Sequence, residues 1–339
     1  MASLEPWRGR GRYYLNTAAY GLPPRGAIEA ADAWIRQWSE GSTPYPDWLA
    51  ATDRTRALFA DLVHVPAEAV ATGTSVSQLV GLVAASLPSG TLVIADEQEF
   101  ASLLLPFLAA ESRGVRVELV PRHRLADAIA ERGDLVLFSL VSSADGTPAN
   151  YREIQAAAAS RSAWTVVDAA QACGWLELDY GLFDLVVCPA FKWLGSPRGV
   201  AFLTVRPDLL DALQPIAAGW WPAGRGYGGP LELGSTAKRL DVSPVWNSWV
   251  AAEAALGTIG RLGVQRIGDH VLALANRFRA GRGLPVGPTP IVVVEGVEAL
   301  ARLTAAGFAV THAAGGGARL SFGPCNDDID VDKALEVLG

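Results

Sequence analysis

The sequence has little positive charge. Only three lysines occur in 339 residues, and 35 acidic residues against 28 basic ones give a formal net charge of −7. No run rich in Lys or Arg is present. Because binding to duplex nucleic acid needs a basic face that displaces counterions, this composition disfavours a nucleic-acid partner.

Cysteine and histidine are also scarce, which limits the kinds of site that the chain can build. The cysteines, Cys173, Cys188 and Cys325, are odd in number and far apart, and no C-x-x-C pair occurs. The four histidines are scattered, without an H-E-x-x-H motif. These spacings argue against a disulfide framework and a structural zinc site, so we expect no metal.

Long apolar runs are absent as well. No window approaches the length of about twenty apolar residues that a membrane-spanning helix needs, so the sequence predicts no membrane span. Residues Met1–Arg12 contain Arg, Glu and Trp where a signal peptide needs an apolar stretch, which favours a cytoplasmic protein. Hydrophobic residues nevertheless make up 50% of the chain, enough for a large packed core, which excludes a disordered or fibrous protein.

Short apolar runs alternate with longer amphipathic stretches between residues 69 and 205. Because strands that alternate with helices form crossover units, this pattern predicts an α/β fold with a mainly parallel sheet covered on both faces. The predicted strands are Ala69–Gly73, Leu92–Ala95, Arg116–Val120, Leu135–Leu140, Trp164–Asp168, Leu185–Cys188 and Val200–Val205. The predicted helices are Ser77–Ser86, Leu103–Gly114, Arg124–Arg132 and Tyr151–Arg161.

A Gly-rich stretch, Ala217–Pro230, breaks this alternation and is predicted to be a long loop. A smaller α+β region is predicted to follow it. The predicted helices of that region are Asn247–Arg261, Val264–Ala280, Glu298–Ala306 and Asp328–Leu338. Its predicted strands are Ile291–Val294, Ala309–His312 and Ala318–Phe322.

Two charged residues follow apolar strands, at the edge where open α/β sheets bind their ligands. Asp168 ends one strand, either as a strand-end cap or as a ligand contact. Lys192 follows another strand and lies between Phe191 and Trp193. Lysine in apolar surroundings loses hydration, so its pKa falls and its amine becomes the nucleophile that Schiff-base chemistry needs. A surface lysine with a buried stem is the alternative, and Lys192 alone does not decide between them.

The segment Thr72–Ser75 joins a predicted strand to a predicted helix. Hydroxyl groups and free backbone N–H groups at a helix N-terminus form a site for an anion. No Gly-Lys-Ser/Thr sequence follows, so the segment is not a Walker loop. An ordinary Ser/Thr helix cap is the alternative.

The order of these features resembles the fold-type-I pyridoxal-phosphate (PLP) enzymes of aminotransferase class V. That family contains cysteine desulfurases, isopenicillin-N-epimerase-like proteins, kynureninases and C–S lyases. The resemblance covers nearly the whole chain, and Asp168-x-x-Gln171 and the segment around Lys192 are specific when found together at this separation. Its segments are Tyr14–Pro24, Val166–Gly174, Phe191–Leu194, Arg198–Leu203, Ala318–Phe322 and Asn326–Asp328.

The resemblance implies PLP as cofactor and a role for each matching residue. Lys192 corresponds to the lysine that forms the Schiff base with PLP and later transfers protons. Asp168 corresponds to the partner that keeps the pyridine nitrogen protonated, so that the ring accepts electrons. Gln171 corresponds to the residue that hydrogen-bonds the phenolic oxygen, and Phe100 to the ring that stacks on the pyridine. The other implied residues are Thr74 and Ser75 for the phosphate, Arg319 for the substrate α-carboxylate, and Asn16 and Ser143 on the substrate side.

The sequence departs from the family in two places. Many relatives have polar residues before the lysine that contact the phosphate, where this chain has Pro189 and Phe191. The phosphate is then expected to rely on Thr74, Ser75 and a neighbouring subunit, for which Ser243 is the candidate.

The second departure concerns cysteine. Cysteine desulfurases carry a catalytic cysteine on the loop before the last Arg-x-Ser strand, but the corresponding loop, Val310–Gly317, contains none. Persulfide transfer is therefore not expected. Trp220 and Trp221 on the Gly-rich stretch are predicted to form a wall for a bulky, partly apolar substrate, or else to anchor a dimer interface.

The resemblance implies an enzyme that acts on an amino acid through a Schiff base between substrate and PLP. By analogy, the expected reaction is β-elimination from an S-substituted cysteine conjugate, a C–S lyase activity, in specialised metabolism such as antibiotic biosynthesis. One alternative is decarboxylation coupled to oxidative deamination of such a conjugate, and others are an epimerase or an aminotransferase. An alternative from a different functional class is a degenerate protein that binds PLP but catalyses no reaction.

The same resemblance implies an architecture. A large PLP-binding domain of residues 16–240 is expected to contain a mainly parallel, seven-stranded sheet. Residues 1–15 and 241–339 are expected to form a smaller α+β domain. Sites in this fold lie between two subunits, so a homodimer is expected.

Overall fold

A seven-stranded sheet organises residues 70–205 in the computed structural model, which describes all of residues 1–339. The order across the sheet is β1-β7-β6-β5-β4-β2-β3. Strands β2 to β6 are parallel to one another, and β7 is antiparallel to both of its neighbours. The predicted α/β fold with a mainly parallel seven-stranded sheet is confirmed. The strands are β1 (Val70–Gly73), β2 (Leu92–Asp96), β3 (Arg116–Val120), β4 (Leu135–Ser139), β5 (Trp164–Asp168), β6 (Leu185–Pro189) and β7 (Ala201–Val205).

Both faces of the central part of this sheet are buried, which explains why the central strands are apolar runs without alternation. All five residues of β4 are buried; Leu135 and Leu137 belong to one apolar core, and Val136 and Phe138 to another. Successive strand residues point to opposite faces, so each central strand contributes to both cores. In the central strands β2, β4, β5 and β6, a charge stands only where a strand ends, as Asp168 does; the edge strand β3 carries Glu118 in its middle.

Eleven helices cover the two faces and build the second region of the molecule. None of them is both long and apolar enough to cross a membrane. The helices up to residue 160 are α1 (Arg25–Ser39), α2 (Tyr45–Val63), α3 (Val76–Ser86), α4 (Ala101–Ala109), α5 (Leu125–Glu131) and α6 (Tyr151–Ser160). The later helices are α7 (Trp220–Ala223), α8 (Trp246–Leu262), α9 (Val264–Gly281), α10 (Val297–Ala305) and α11 (Asp328–Leu338).

Helices α1 and α2 lie before residue 69, where no element was predicted from the sequence. Helix α2 has Pro46 in its first turn and ends at His64, whose backbone is left-handed with φ of 57°. Both helices pack against α8, and Trp249 of α8 shares an apolar core with Phe59 of α2. The predicted domain boundary at residue 240 precedes α8, and the division into two domains stays a prediction.

A second sheet of three strands contains β8 (Ile291–Val294), β9 (Thr311–His312) and β10 (Ala318–Ser321). Strand β10 lies in the middle and is antiparallel to both neighbours. Parallel bridges join Tyr14 to Ala309 and Asn16 to Ser321, so a segment from the beginning of the chain extends this sheet. Together with α9, α10 and α11 the sheet has a core of its own, as expected for a smaller α+β region.

Three predicted elements are corrected in length. The Gly-rich stretch is not wholly a loop, because α7 forms one turn there and ends at Gly224, which has a left-handed backbone (φ of 63°). The predicted helix Leu103–Gly114 is α-helical only to Ala109 and continues as a tighter 3-10 turn. The predicted strand Ala309–His312 shrinks to Thr311–His312, because only these two residues pair with β10.

Candidate active site

A cavity of about 400 Å³ lies where β5 and β6 end, beside the N-terminus of α3. Its position, beyond the carboxyl ends of parallel strands, is where open α/β sheets bind their ligands. The cavity brings together seven of the predicted site residues: Ser75, Phe100, Ser143, Asp168, Gln171, Lys192 and Arg319. The rest of its lining consists of Ala18, Ala19, Val76, Ser102, Ala170, Pro189, Phe191, Arg198 and Thr311.

Lys192 is a buried lysine without an ion-pair partner. The other two lysines of the chain pair with carboxylates, whereas Lys192 does not and is only 8% exposed. Burial disfavours the cation and lowers the pKa of Lys192; Asp168 opposes this shift, while Arg319 and Arg198 add to it. A surface lysine is thereby excluded, and the amine has the environment of a Schiff-base nucleophile.

Asp168 presents a buried carboxylate at the end of β5. Its Oδ1 accepts a hydrogen bond of 2.7 Å from the backbone N–H of Ala170, and no group of the chain donates to its Oδ2. Burial raises the pKa of Asp168 to about 6, although the nearby Lys192 lowers it. One oxygen thus caps the strand end while the other is free to hold a proton-bearing group.

The side-chain amide of Gln171 is fixed at both ends. Its Nε2 donates to the backbone oxygen of Ala18 at 2.9 Å, and its Oε1 accepts from the indole Nε1 of Trp193 at 2.9 Å. Trp193 was not predicted as a site residue, yet it decides which way the amide points. The second N–H of Gln171 remains available to a ligand.

Ser75 both caps α3 and lines the cavity, so the two alternatives for its segment are compatible. Its Oγ accepts a hydrogen bond of 3.3 Å from the backbone N–H of Gln78. The side chain of Gln78 returns the contact by accepting from the backbone N–H of Thr74 at 3.1 Å. Thr74 is not part of the cavity lining, and its phosphate role stays a prediction.

Phe100 stands at the cavity beside Lys192. Its ring is 47% exposed and its centroid is 5.5 Å from Lys192 Nζ. The preceding residue, Glu99, accepts hydrogen bonds from the backbone N–H and the hydroxyl of Ser139 at 2.7 and 2.6 Å. Glu99 was not predicted from the sequence; it anchors the segment that presents the Phe100 ring, which can stack on a flat ligand.

Arg319 brings an unpaired guanidinium into the cavity from β10. It donates through Nη1 to the backbone oxygen of Ser143, and its buried Nε has no hydrogen-bond partner. Burial lowers the pKa of Arg319, which marks a cation that has lost water without gaining a carboxylate. Asn16 does not line the cavity but contacts a residue that does: its Oδ1 accepts a hydrogen bond from the hydroxyl of Thr311.

Trp220 and Ser243 lie together outside the cavity. The indole Nε1 of Trp220 donates to the hydroxyl of Ser243 at 3.1 Å, and neither residue belongs to the cavity lining of the same chain. Trp221 is buried and donates to the carboxylate of Asp241 at 2.9 Å. The predicted phosphate role of Ser243, from a neighbouring subunit, and the predicted substrate role of Trp220 stay predictions.

No role was predicted for Arg198, although it lines the cavity. Its guanidinium carbon is 4.4 Å from the centroid of the Phe191 ring, and it forms no ion pair with a carboxylate. Its place six residues after Lys192, within a segment quoted for the family resemblance, was the only signal in the sequence.

The donor set of the cavity fits a small anionic aldehyde such as PLP together with an amino acid. A free amine, a free carboxylate oxygen, a helix N-terminus and an unpaired guanidinium face one space. These are the groups needed to bind an aldehyde carbon, a ring nitrogen, a phosphate and an α-carboxylate.

The sequence is similar to a known protein family and to individual proteins. A family model described as aminotransferase class-V matches residues 14–280. Kynureninase from Deinococcus radiodurans is 30% identical over 276 residues, which are 76% of this chain and 66% of the relative. Isopenicillin N epimerase from Streptomyces clavuligerus is 27% identical over 256 residues, 65% of this chain and 62% of the relative. The aligned part of this chain thus spans slightly less than two thirds of the length of these two relatives.

The fold was also compared with solved structures. The complex of the cystine C–S lyase C-DES with its product cysteine persulfide matches with a TM-score of 0.85 and 19% identity. The match covers 96% of this chain and 97% of the other. The two chains therefore share the same fold-type-I architecture over nearly their whole length.

Proposed function

The chain belongs to the aminotransferase class-V family, and from this membership we propose that it is a lyase that eliminates the sulfur substituent of an S-substituted cysteine. PLP is its cofactor. The observation that carries the proposal is the meeting of Lys192, Asp168 and Arg319, each with an unsatisfied polar atom or charge, in one cavity that no thiol reaches.

Each part of the cofactor has a group in this chain that suits it. Lys192 would hold the aldehyde carbon, Asp168 the pyridine nitrogen, Gln171 the phenolic oxygen, and Ser75 with the N-terminus of α3 the phosphate. Phe100 would cover one face of the ring. When bound, PLP supplies an electron-withdrawing ring that weakens the bonds at the substrate Cα.

The remaining chemistry is left to two residues. Arg319 orients the substrate by binding its α-carboxylate, and its planar fork suits a carboxylate through two parallel hydrogen bonds. Lys192 is the only amine at the cavity, and its lowered pKa allows the neutral form to accept the Cα proton. Its ammonium form then delivers a proton to the departing sulfur, so one residue acts as base and acid.

The state of the cysteines favours elimination over persulfide formation. All three cysteines are buried, and none lines the cavity. Burial raises the pKa of Cys325 to about 12 and the pKa of Cys188 well above its ordinary value, so neither thiol is a nucleophile at neutral pH. A sulfur group that leaves the substrate would thus leave as a free thiol.

The aromatic wall of the cavity suits an apolar substituent on that sulfur. Phe191 packs against Tyr20 with ring centroids 5.7 Å apart, and Phe100 stands beside Lys192. Water would convert the substrate into one thiol, one pyruvate and one ammonium ion. An origin of the substrate in specialised metabolism, as a cysteine conjugate, belongs to this proposal.

A second candidate follows from the similarity to kynureninase. The identity of 30% over 276 residues favours cleavage of a Cβ–C bond in a kynurenine-like substrate, which needs the same amine, carboxylate and guanidinium. Oxidative decarboxylation, epimerisation and transamination also share these groups, so the products must decide.

The test is a product assay on the PLP-loaded enzyme with S-alkyl- and S-aryl-L-cysteines, beside L-kynurenine. We expect thiol and pyruvate in equal amounts. Turnover of Lys192→Ala should fall by about 10²–10⁴-fold or more, because the amine proposed to transfer the protons is lost. Lys333→Ala is the matched control, since Lys333 is exposed and pairs with Glu336 on the surface. Borohydride should fix PLP to the wild type and not to Lys192→Ala.

Other products would show that the enzyme catalyses a different reaction from the one proposed. Anthranilate from kynurenine would select the second candidate, and carbon dioxide with consumption of dioxygen would select oxidative decarboxylation. A D-amino acid without thiol release would indicate an epimerase. Unchanged turnover of Lys192→Ala would remove Lys192 from its role.

A further inference from the structure

The phosphate end of the cavity has few polar side chains. A phosphate ester carries between one and two negative charges at neutral pH. Ser75 and the first N–H groups of α3 offer hydrogen bonds but only a partial positive charge. The segment that leads from β6 to Lys192 contributes Pro189 and Phe191, neither of which has a side-chain donor. A full positive charge is therefore missing from the groups considered so far.

Three cationic side chains line the cavity, and two of them already have other tasks. Lys192 is required for the aldehyde carbon. Arg319 donates to the backbone oxygen of Ser143 and has a partnerless Nε, and it is already proposed to bind the substrate carboxylate. Arg198 is the third cation, and it has no task in the proposed reaction.

Arg198 has the placement of a ligand-binding cation. It follows β6 and Lys192 in the loop before β7, and its guanidinium carbon lies 4.4 Å from the centroid of the Phe191 ring. Stacking on an aromatic ring orients a guanidinium while leaving its in-plane N–H groups free. No carboxylate of the chain pairs with it. Its charge is felt inside the cavity, since it contributes to the lowered pKa of Lys192.

We propose that Arg198 binds the phosphate group of PLP and supplies the positive charge that Pro189 and Phe191 cannot. Phe191 takes part as the platform that holds the guanidinium at the cavity. This inference rests on the proposed function in one respect, that PLP occupies this cavity with its phosphate toward α3.

The test measures the affinity of cofactor for the apoprotein, with PLP and with pyridoxal, which lacks the phosphate. Titrations followed by visible absorption give apparent Kd values for the wild type, Arg198→Gln, Arg198→Lys and Arg10→Gln. Arg10 is a matched control, because it is exposed, forms no ion pair and lies outside the cavity.

We expect Arg198→Gln to bind PLP about 10- to 100-fold more weakly, the range for a lost hydrogen bond to a charged group. Its affinity for pyridoxal should equal that of the wild type, because pyridoxal has no phosphate to lose. Arg198→Lys keeps the charge without the planar fork and should fall between wild type and Arg198→Gln. Arg10→Gln should bind both compounds normally.

Each other outcome overturns the inference in a recognisable way. Equal PLP affinity in wild type and Arg198→Gln would remove Arg198 from the phosphate; a raised KM for the amino acid alone would assign it to the substrate instead. A parallel loss of PLP and pyridoxal affinity would indicate a structural role. Failure of the wild type itself to take up PLP would overturn the proposed function as well, so the two failures are distinguishable.

Discussion

At the scale of the residue, Asp168 has a charge that the folded chain tolerates poorly. Burial raises its pKa to about 6 from an ordinary value of 3.8. Because the folded state holds the proton more tightly than the unfolded state, this group stabilises the fold fully below pH 3.8. That contribution is lost as the pH rises through about 6. At neutral pH the ionised Asp168 therefore lowers the free energy of unfolding of the cofactor-free protein.

Asp168→Asn should consequently stabilise the cofactor-free protein while it destroys function. A shift of this size corresponds to about 3 kcal/mol in the free energy of unfolding at pH 8, and we expect a gain of about 1–3 kcal/mol. Urea unfolding of both proteins between pH 4 and pH 8 measures the gain, which should vanish below the ordinary pKa of 3.8. Turnover should fall by orders of magnitude, because the amide cannot keep the ring nitrogen protonated. A variant less stable than wild type at pH 8 would contradict this account.

The residues that sequence reasoning found and missed differ in a physical sense. Asp168 and Lys192 were noticed because each follows an apolar strand, but their roles were predicted from the family resemblance, which needed both motifs together. Arg198, Trp193 and Glu99 act through contacts across the fold: over Phe191, to the Gln171 amide, and to Ser139. Such contacts have no regular spacing along the chain, so no sequence pattern predicts them.

At the scale of the element, Asp241 fastens β1 two residues before the turn that leads to α3. Its Oδ1 accepts from the backbone N–H of Thr72 at 2.7 Å, and its Oδ2 accepts from Arg56 and Trp221 at 2.6 and 2.9 Å. The side chain of Asp241 is fully buried and that of Arg56 nearly so. One carboxylate thus connects α2, α7 and the strand that leads to Ser75.

Asp241→Ala should lower the free energy of unfolding by about 3–5 kcal/mol, because it leaves the buried Arg56 cation without its partner. Glu253→Gln is the matched control: it breaks the more exposed pair with Arg54 and should cost about 1 kcal/mol or less. Urea unfolding at pH 7 compares the three proteins. Equal losses in the two variants would show that the buried pair has no special weight.

All seven strands of the large sheet were predicted. The central strands are buried on both faces and are continuous apolar runs, whereas the edge strand β3 alternates charged and apolar residues. Helices α1 and α2 were not predicted. Helix α1 was missed although its sequence is strongly amphipathic. In α2 the buried face includes Thr52, Thr55 and Arg56, which weakens the apolar period in the sequence. Helix α7 is a single turn, too short for any periodicity.

At the scale of the whole molecule, two predicted site residues lie outside the cavity of their own chain. Ser243 and Trp220 contact each other and stand apart from the cavity of their own chain. The resemblance implies a homodimer in which the neighbouring subunit contributes to the phosphate site, with Ser243 as the candidate. This assembly and the roles of both residues stay predictions.

We expect light scattering to give twice the mass of one chain. In that dimer Ser243→Ala should weaken PLP binding about three- to tenfold, the range for one neutral hydrogen bond, with pyridoxal unaffected. Ser112→Ala, on an exposed turn where it bonds only to the backbone of Ala109, is the control. A monomer that binds PLP with full affinity would exclude the shared site.

The segment of residues 15–21, which includes Asn16 and Ala18, finds its partners only after later parts of the chain have been synthesised. Leu15 accepts from the N–H of Ser321 on β10, Ala18 accepts from Gln171, and Gly21 donates to the backbone oxygen of Phe191. Gly21 fits only as glycine, since a Cβ there would lie 1.7 Å from the Lys192 oxygen. Some 300 residues separate Leu15 from its β10 partner, so this early segment leaves the ribosome long before that strand does. The cavity residues proposed for the cofactor all precede residue 200, whereas Arg319 lies on β10. A nascent chain halted before β10 therefore lacks the group proposed to bind the substrate carboxylate.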